Sequence, residues 1–195
     1  MLIIIKKLNV PKVVLRYMMI NFLDLDTIKN VILNVREMNI LDNFSKELLS
    51  NAKKGFIWNC ENGHINVAQW LYSFGDINIH ANNEHAFRDS CMNGHINVAQ
   101  WLWSLGSINI HANDETAFRY SCYNGHINVA QWLYSLDGIN IHADNDYAFR
   151  WSCENGHINI AQWLYSFGIN IHADNNYAFR YSNGKVLEWL NNIKN

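Results

Sequence analysis

Proline occurs once in the 195 residues, at Pro11. That excludes collagen-like and proline-rich chains. Charged residues make up only 16%, and 15 basic side chains nearly balance 17 acidic ones. A general nucleic-acid binder carries a basic excess that neutralises phosphates, so that class is set aside. No run of 18 apolar residues exists, so no transmembrane helix is expected. The apolar start is broken by Lys6, Lys7, Pro11, Lys12 and Arg16. A signal peptide places its charge first and a small-residue cleavage site last, and neither holds here. An intracellular protein is therefore expected. Phosphate loops, a Ser-His-Asp signature and paired-carboxylate motifs are also missing, which leaves no catalytic constellation and no cofactor to assign.

Apolar residues, at 49%, are sufficient for a real core. Asparagine fills many polar positions, 30 in all. The dominant feature is an internal period, the mark of a repeat architecture. Asn-Gly-His-Ile-Asn occurs at 62–66, 93–97, 124–128 and 155–159, a spacing of 31 each time. Cys60, Cys91, Cys122 and Cys153 keep that spacing, as do Trp70, Trp101, Trp132 and Trp163. Asn-Ile-His-Ala recurs at 78–81, 109–112, 140–143 and 170–173, and Ala-Phe-Arg at 86–88, 117–119, 148–150 and 178–180.

Each unit contains two helical stripes. Phe87, Ser90, Cys91 and Gly94 share one face of a first helix, with Gly94 placed for a left-handed cap. Val98, Trp101, Leu102 and Leu105 repeat the spacing in a second helix. Ile108 and Ile110 then alternate with Asn109 and His111 in a short extended segment. Asn113-Asp114-Glu115 turns the chain back. One unit cannot bury both stripes, so neighbours must stack into a solenoid.

Thr116-Ala117-Phe118-Arg119-Tyr120-Ser121-Cys122-Tyr123-Asn124-Gly125-His126 resembles the Thr-Pro-Leu-His-x-Ala-Ala-x-x-Gly-His motif of the ankyrin repeat family. Gly106 to Ala112 is similar to that family's Gly-Ala-Asp-Val-Asn-Ala. The compact unit with Ala-Phe-Arg resembles the ankyrin proteins of giant amoeba-infecting DNA viruses. The resemblance implies an all-α solenoid of helix-turn-helix units with short inter-repeat loops or hairpins and helical caps. Pro is absent from the helix start, where Ala86, Ala117, Ala148 and Ala178 stand, and the unit is two residues short of the family's. The expected layout is an N-terminal helical cap or degenerate repeats over 1–54. An array follows over 55–195, with units starting near 55, 86, 117, 148 and 178, the last a C-terminal cap. Helices are expected over Thr27–Met38, capped by Asp26, and Ser45–Lys54, capped by Asn43. The resemblance further implies that the Gly-His histidines are structural, bonding the loops between repeats.

The Trp ladder reads as core, each residue contributing roughly 2–3 kcal/mol by burial. The cysteine ladder reads as small buried residues, because layers about 8–10 Å apart cannot be bridged by disulfides. Histidines 15–16 residues apart lack the short spacing of zinc pairs, so no metal is assigned. Acidic side chains in the turns read as solvated caps. Arg88, Arg119, Arg150 and Arg180 form a line with two readings: pairing with turn carboxylates, or a stripe that binds an anionic ligand.

Positions that vary between near-identical units carry the functional information. One first-helix column reads Trp58, Asp89, Tyr120, Trp151, Tyr181. A second reads Glu61, Met92, Tyr123, Glu154, and the turn column reads His85, Thr116, Tyr147, Tyr177. Tyr and Trp dominate protein–protein hot spots, so Trp58, Asp89, Met92, Tyr120, Tyr123, Tyr147, Trp151, Tyr177 and Tyr181 are the expected partner-binding residues. The alternative is aromatic packing between repeats. The expected function is a monomeric, non-enzymatic protein-interaction scaffold in a host cytoplasm, with an unidentified protein partner from the host. A duplicated repeat protein without a partner stands as the alternative.

Overall fold

The computed structural model describes residues 53–73, 77–136 and 138–194. The expected cap over 1–54 therefore lies outside the described residues, apart from its last two, and so do the helices at Thr27–Met38 and Ser45–Lys54. The elements are α1 (53–61), α2 (Ile65–Tyr72), α3 (Ala81–Met92), α4 (Ile96–Ser104), α5 (Ala112–Tyr123), α6 (Ile127–Ser135), α7 (Ala143–Glu154), α8 (Ile158–Tyr165), α9 (Ala173–Tyr181) and α10 (Gly184–Ile193). The described residues contain no strand.

First helices stack on first helices: α3 on α5, α5 on α7, α7 on α9. Each also packs on the second helix of its own repeat, α3 on α4, α5 on α6 and α7 on α8. The core runs the length of the stack. Phe87, Phe118 and Phe149 are fully buried, as are Cys91, Cys122 and Cys153 beside them, and Val98, Leu102, Val129, Leu133, Ile160 and Leu164 meet them from the second helices. The expected stripe of Phe87, Ser90 and Cys91 is this buried face. At the far end Val186 and Leu190 of α10 are buried, while Lys185, Glu188, Asn191, Asn192 and Lys194 are exposed.

The Trp ladder corrects an expectation. Trp70, Trp101, Trp132 and Trp163 are half-buried, at the core's margin. Three of them lean on the Phe of the preceding repeat: Phe56–Trp101, Phe87–Trp132 and Phe118–Trp163 all have centroids 6.2 Å apart. The helical period puts Trp on the inward side of its helix but does not say how far an indole reaches past the seam.

Asn-Gly-His is a joint between repeats. Gly63, Gly94, Gly125 and Gly156 have φ of 75–84°, the left-handed cap expected after a first helix. A Cβ on Gly94 would stand 2.5 Å from Nδ1 of His126, one repeat on, and Gly63 meets His95 in the same way. The His157 Nε2–H donates to the Tyr123 carbonyl at 3.0 Å. Burial, then the His95 and His157 rings, lowers the His126 pKa from its ordinary value, so this ring is neutral near pH 7.

The joint predicts two unequal substitutions. Gly94→Ala pays the left-handed penalty of roughly 1–2 kcal/mol and also drives a methyl into His126, so a loss of about 2–4 kcal/mol is expected. Gly156 has the same φ of 78° but nothing within 4 Å. Gly156→Ala should therefore cost only the backbone part, and urea denaturation of the two variants checks the difference.

The cysteines predict an alkaline limit. All four are buried and unpaired. Burial pushes the Cys60 and Cys153 thiols from 9.0 up to about 12, and those of Cys91 and Cys122 higher still. With folded values raised, the stability is complete below the unfolded value and is lost as pH climbs through 9 toward the folded values. Between about pH 8 and 9.5 each thiol should cost on the order of 1 kcal/mol. Replacing all four by Ala should flatten that slope in urea titrations.

Candidate interaction face

The Asn-Ile-His-Ala tetrad begins the loop that sets this face. Asn78, Asn109, Asn140 and Asn170 accept the backbone N–H of the His two residues on, each at 3.0 Å. This is an Asx turn. Three consecutive residues then take left-handed backbone angles. They are Asn82-Asn83-Glu84, Asn113-Asp114-Glu115, Asp144-Asn145-Asp146 and Asp174-Asn175-Asn176, with φ from 50 to 63°. After glycine, Asn and Asp tolerate this region best, which accounts for every turn residue but Glu84 and Glu115. The right-handed part of each first helix starts only after this turn. No hairpin forms.

The third residue of the turn departs from the sequence reading. Glu84, Glu115 and Asp146 are 6%, 6% and 7% exposed, not solvated caps. Each takes the Nδ1–H of the loop His four residues back: His80 to Glu84 at 3.0 Å, His111 to Glu115 at 2.8 Å, His142 to Asp146 at 2.7 Å. Glu84 Oε1 also accepts the backbone N–H of Asn109 at 3.3 Å, and Glu115 Oε1 that of Asn140 at 3.3 Å, both in the next repeat. A buried carboxylate is costly unless bonded in this way. In the last repeat Asn176 replaces the acid and keeps the bond to His172.

The arginine ladder clamps the same turn. Arg88 Nε donates to the Asn83 carbonyl and Arg150 Nε to that of Asn145, both at 2.7 Å. Arg119 Nη1 meets Asp144 Oδ2 at 2.6 Å and Arg150 Nη1 meets Asp174 Oδ2 at 3.0 Å, each across a repeat boundary. Their guanidiniums lie over the Tyr147 and Tyr177 rings at 4.9 and 5.0 Å. Asn113 stands at the position that Asp144 and Asp174 hold in the later repeats, and among the described residues no carboxylate lies within ion-pair reach of Arg88 or Arg180. An anionic ligand on Arg119 or Arg150 would have to displace a carboxylate already in place.

The nine expected partner-binding residues divide into two groups. Tyr120, Tyr123, Tyr147, Trp151, Tyr177 and Tyr181 form one unbroken row of rings. Centroid distances are 5.9 Å for Tyr120–Tyr147, 5.4 Å for Tyr147–Trp151, 5.5 Å for Trp151–Tyr177 and 4.5 Å for Tyr177–Tyr181. Tyr123 joins through Tyr120 at 5.9 Å and Trp151 at 5.4 Å. Five of the six are half-buried against one another, and Tyr181 is 50% exposed. Packing between repeats and a solvent-facing aromatic surface thus coexist. The Tyr177 hydroxyl donates to Glu154 Oε2 at 2.5 Å. Burial, with that bond and charge, raises Tyr177 to about 12. Burial and the Tyr120 hydroxyl raise Tyr147 too.

Trp58, Asp89 and Met92 lie apart, toward the start of the described array. Trp58 is 54% exposed, with the His64 ring beside it at 5.3 Å. Asp89 receives His85 Nε2–H at 2.8 Å. Burial, then Glu61, raises its pKa against the opposing pull of His85 and Arg88. The half-buried Met92 lends its carbonyl to the Asn124 amide at 2.8 Å. Thr116, half-buried, donates its hydroxyl to the Asn113 carbonyl of its own turn. Arg119 Nε is left without an acceptor among the described residues.

A second aromatic series escaped the sequence reading. Tyr72, Tyr134 and Tyr165 stand edge-on to Trp101, Trp163 and Trp189 at 5.6–5.8 Å. The signal was available, because Tyr72, Trp103, Tyr134 and Tyr165 recur at one repeat spacing after the Trp ladder.

The clamp predicts graded arginine substitutions. Arg150→Lys loses the planar fork that serves Asn145, Asp144 and Asp174 together, so about 1–3 kcal/mol should be lost. Arg180→Lys, exposed and holding one carbonyl, should stay within about 0.5 kcal/mol. Thermal denaturation of both checks this.

Among the described residues no three His, Cys, Asp or Glu side chains are placed to hold a metal ion. No described helix is long and apolar enough to cross a membrane. No curated protein matches the chain. The family model described as ankyrin repeats (3 copies) matches residues 56–145 and again 91–175, together spanning most of the described stack. With paired helices stacked repeat on repeat and the glycine–histidine joint between them, the chain belongs to the ankyrin repeat family.

Proposed function

We propose that this protein is a non-enzymatic scaffold that binds a protein partner through the first-helix face carrying Tyr120, Tyr123, Tyr147, Trp151, Tyr177 and Tyr181. The observation that carries the reading is the unbroken row of six rings on three successive repeats. Ankyrin repeats generally mediate protein–protein interactions and are typically non-catalytic. Rigid aromatic rings give large contact area at small entropic cost, the property that makes Tyr and Trp hot-spot residues. Half-burial supports the reading too, because the rings are already ordered before a partner arrives. Trp58, Asp89 and Met92 extend the same columns toward the N-terminal side. The likeness of the compact Ala-Phe-Arg unit to repeats of giant amoeba-infecting viruses supports a host protein as the partner.

The test is capture of partners from an amoebal host extract by the wild-type chain and by the Tyr120→Ser/Trp151→Ser double variant. The variant should remain folded by circular dichroism, losing about 1–3 kcal/mol of ring-to-ring packing. Affinity for any captured partner should fall by roughly 2–4 kcal/mol. A folded double variant that binds with unchanged affinity would refute this face as the binding surface.

A further inference from the structure

The chain contains five Asn-Gly dipeptides, at Asn62, Asn93, Asn124, Asn155 and Asn183. Such a pair can react with itself. Glycine has no side chain to shield its backbone nitrogen, and its freedom lets that nitrogen reach the neighbouring side-chain amide carbon. Sequence alone ranks the five sites as equals.

The fold separates them. In the four Asn-Gly-His joints both reacting groups are engaged. The glycine N–H donates to a cysteine carbonyl three residues back: Gly63 to Cys60 at 3.3 Å, Gly94 to Cys91 at 3.1 Å, Gly125 to Cys122 and Gly156 to Cys153 at 3.2 Å. The asparagine amide is bonded as well. Asn62 donates to the Trp58 carbonyl, Asn124 to that of Met92 and Asn155 to that of Trp151, all at 2.8 Å, and Asn93 donates to that of Asp89 at 3.0 Å. Three of these joints are further held by the His ring of the next repeat against the glycine.

Asn183 has none of these restraints. It lies between α9 and α10, exposed and extended at φ −139° and ψ 175°, and its side chain does not cap the helix. Among the described residues neither its side-chain amide nor the Gly184 N–H has a hydrogen-bond partner. A Cβ at Gly184 would meet nothing within 4 Å, so the surroundings are open to water.

We propose that Asn183 is a site of spontaneous deamidation, and that the repeat joints protect the other four Asn-Gly pairs from the same reaction. The Gly184 nitrogen gives up its proton to solvent base and bonds to Asn183 Cγ. The Cγ–Nδ2 bond breaks and Nδ2 leaves as ammonia with a proton from water, closing a five-membered imide. Water opens the imide at either carbonyl, leaving aspartate or isoaspartate at position 183. No oxidant or reductant takes part.

The two products act oppositely on the end of the stack. Aspartate stands at the N-cap of α10, where a carboxylate accepts amide protons and faces the positive end of the helix dipole. Isoaspartate adds a methylene to the backbone just after the buried Ser182, displacing Val186 and Leu190 from the core and Trp189 from Phe149 and Tyr165.

Peptide mapping by mass spectrometry of the full chain, aged in warm neutral buffer, tests this. A gain of one mass unit should build up at Asn183 at least about tenfold faster than at Asn62, Asn93, Asn124 or Asn155, whose two hydrogen bonds must open first. In concentrated urea the five rates should converge. After chromatographic separation, the isoaspartate form should melt below the fresh protein and the aspartate form should not. Equal rates in the folded chain, or earlier conversion at a joint, would overturn the proposal. So would a lead for Asn183 that persists undiminished in urea, since local sequence would then set the rate.

Discussion

Two carboxylates, Glu84 and Glu115, each buried at the end of a left-handed turn, hold their repeats to the next. Glu84 and Glu115 each accept the ring N–H of a loop histidine in their own repeat and a backbone N–H in the following one. Three successive residues at positive φ would not persist in isolation, since each costs on the order of 1 kcal/mol. They persist because the carboxylate on one side and the arginine on the other take up what the turn leaves unsatisfied. Arg150 collects two turn carbonyls and the next repeat's Asp174 in one planar group. The turn thus depends on side chains of its own repeat and of the next one.

That dependence shapes the aromatic face. The arginine that clamps one turn lies over the tyrosine opening the next repeat's first helix, Arg119 on Tyr147 and Arg150 on Tyr177. The same tyrosines hand the row on to Trp151 and Tyr181. Loop chemistry thus fixes where the rings stand, and the rings in turn complete the interface between first helices. Rings packed against one another in this way have few other orientations open to them.

The joint at Asn-Gly-His performs a separate task with the same economy. Glycine gives the left-handed cap that ends a first helix and also the bare backbone on which the next histidine rests. It further ties up the two groups that would otherwise react with each other. The last pair, Asn183-Gly184, has no following histidine and no such ties, so it carries the chemistry that the others are spared.

The period of 31, the buried Phe-Ser-Cys stripe, the glycine caps and the alternation of buried Ile108 and Ile110 with exposed Asn109 and His111 were all legible in the residues, because each follows from local geometry repeated in register. The aromatic columns were legible as positions for the same reason. Burial of Glu84, Glu115 and Asp146 was not, since a carboxylate in an Asn-Asp turn reads as solvated until the neighbouring repeat covers it and donates to it. Nor could sequence show that Trp132 stops at the core's edge, that Tyr134 meets Trp163 edge-on, or which of the turn carboxylates Arg119 takes. Helical period orients a side chain about its own axis. How far that side chain is enclosed, and which partner it meets, depends on the stacking distance and offset of two repeats, and these exist only once the repeats have packed.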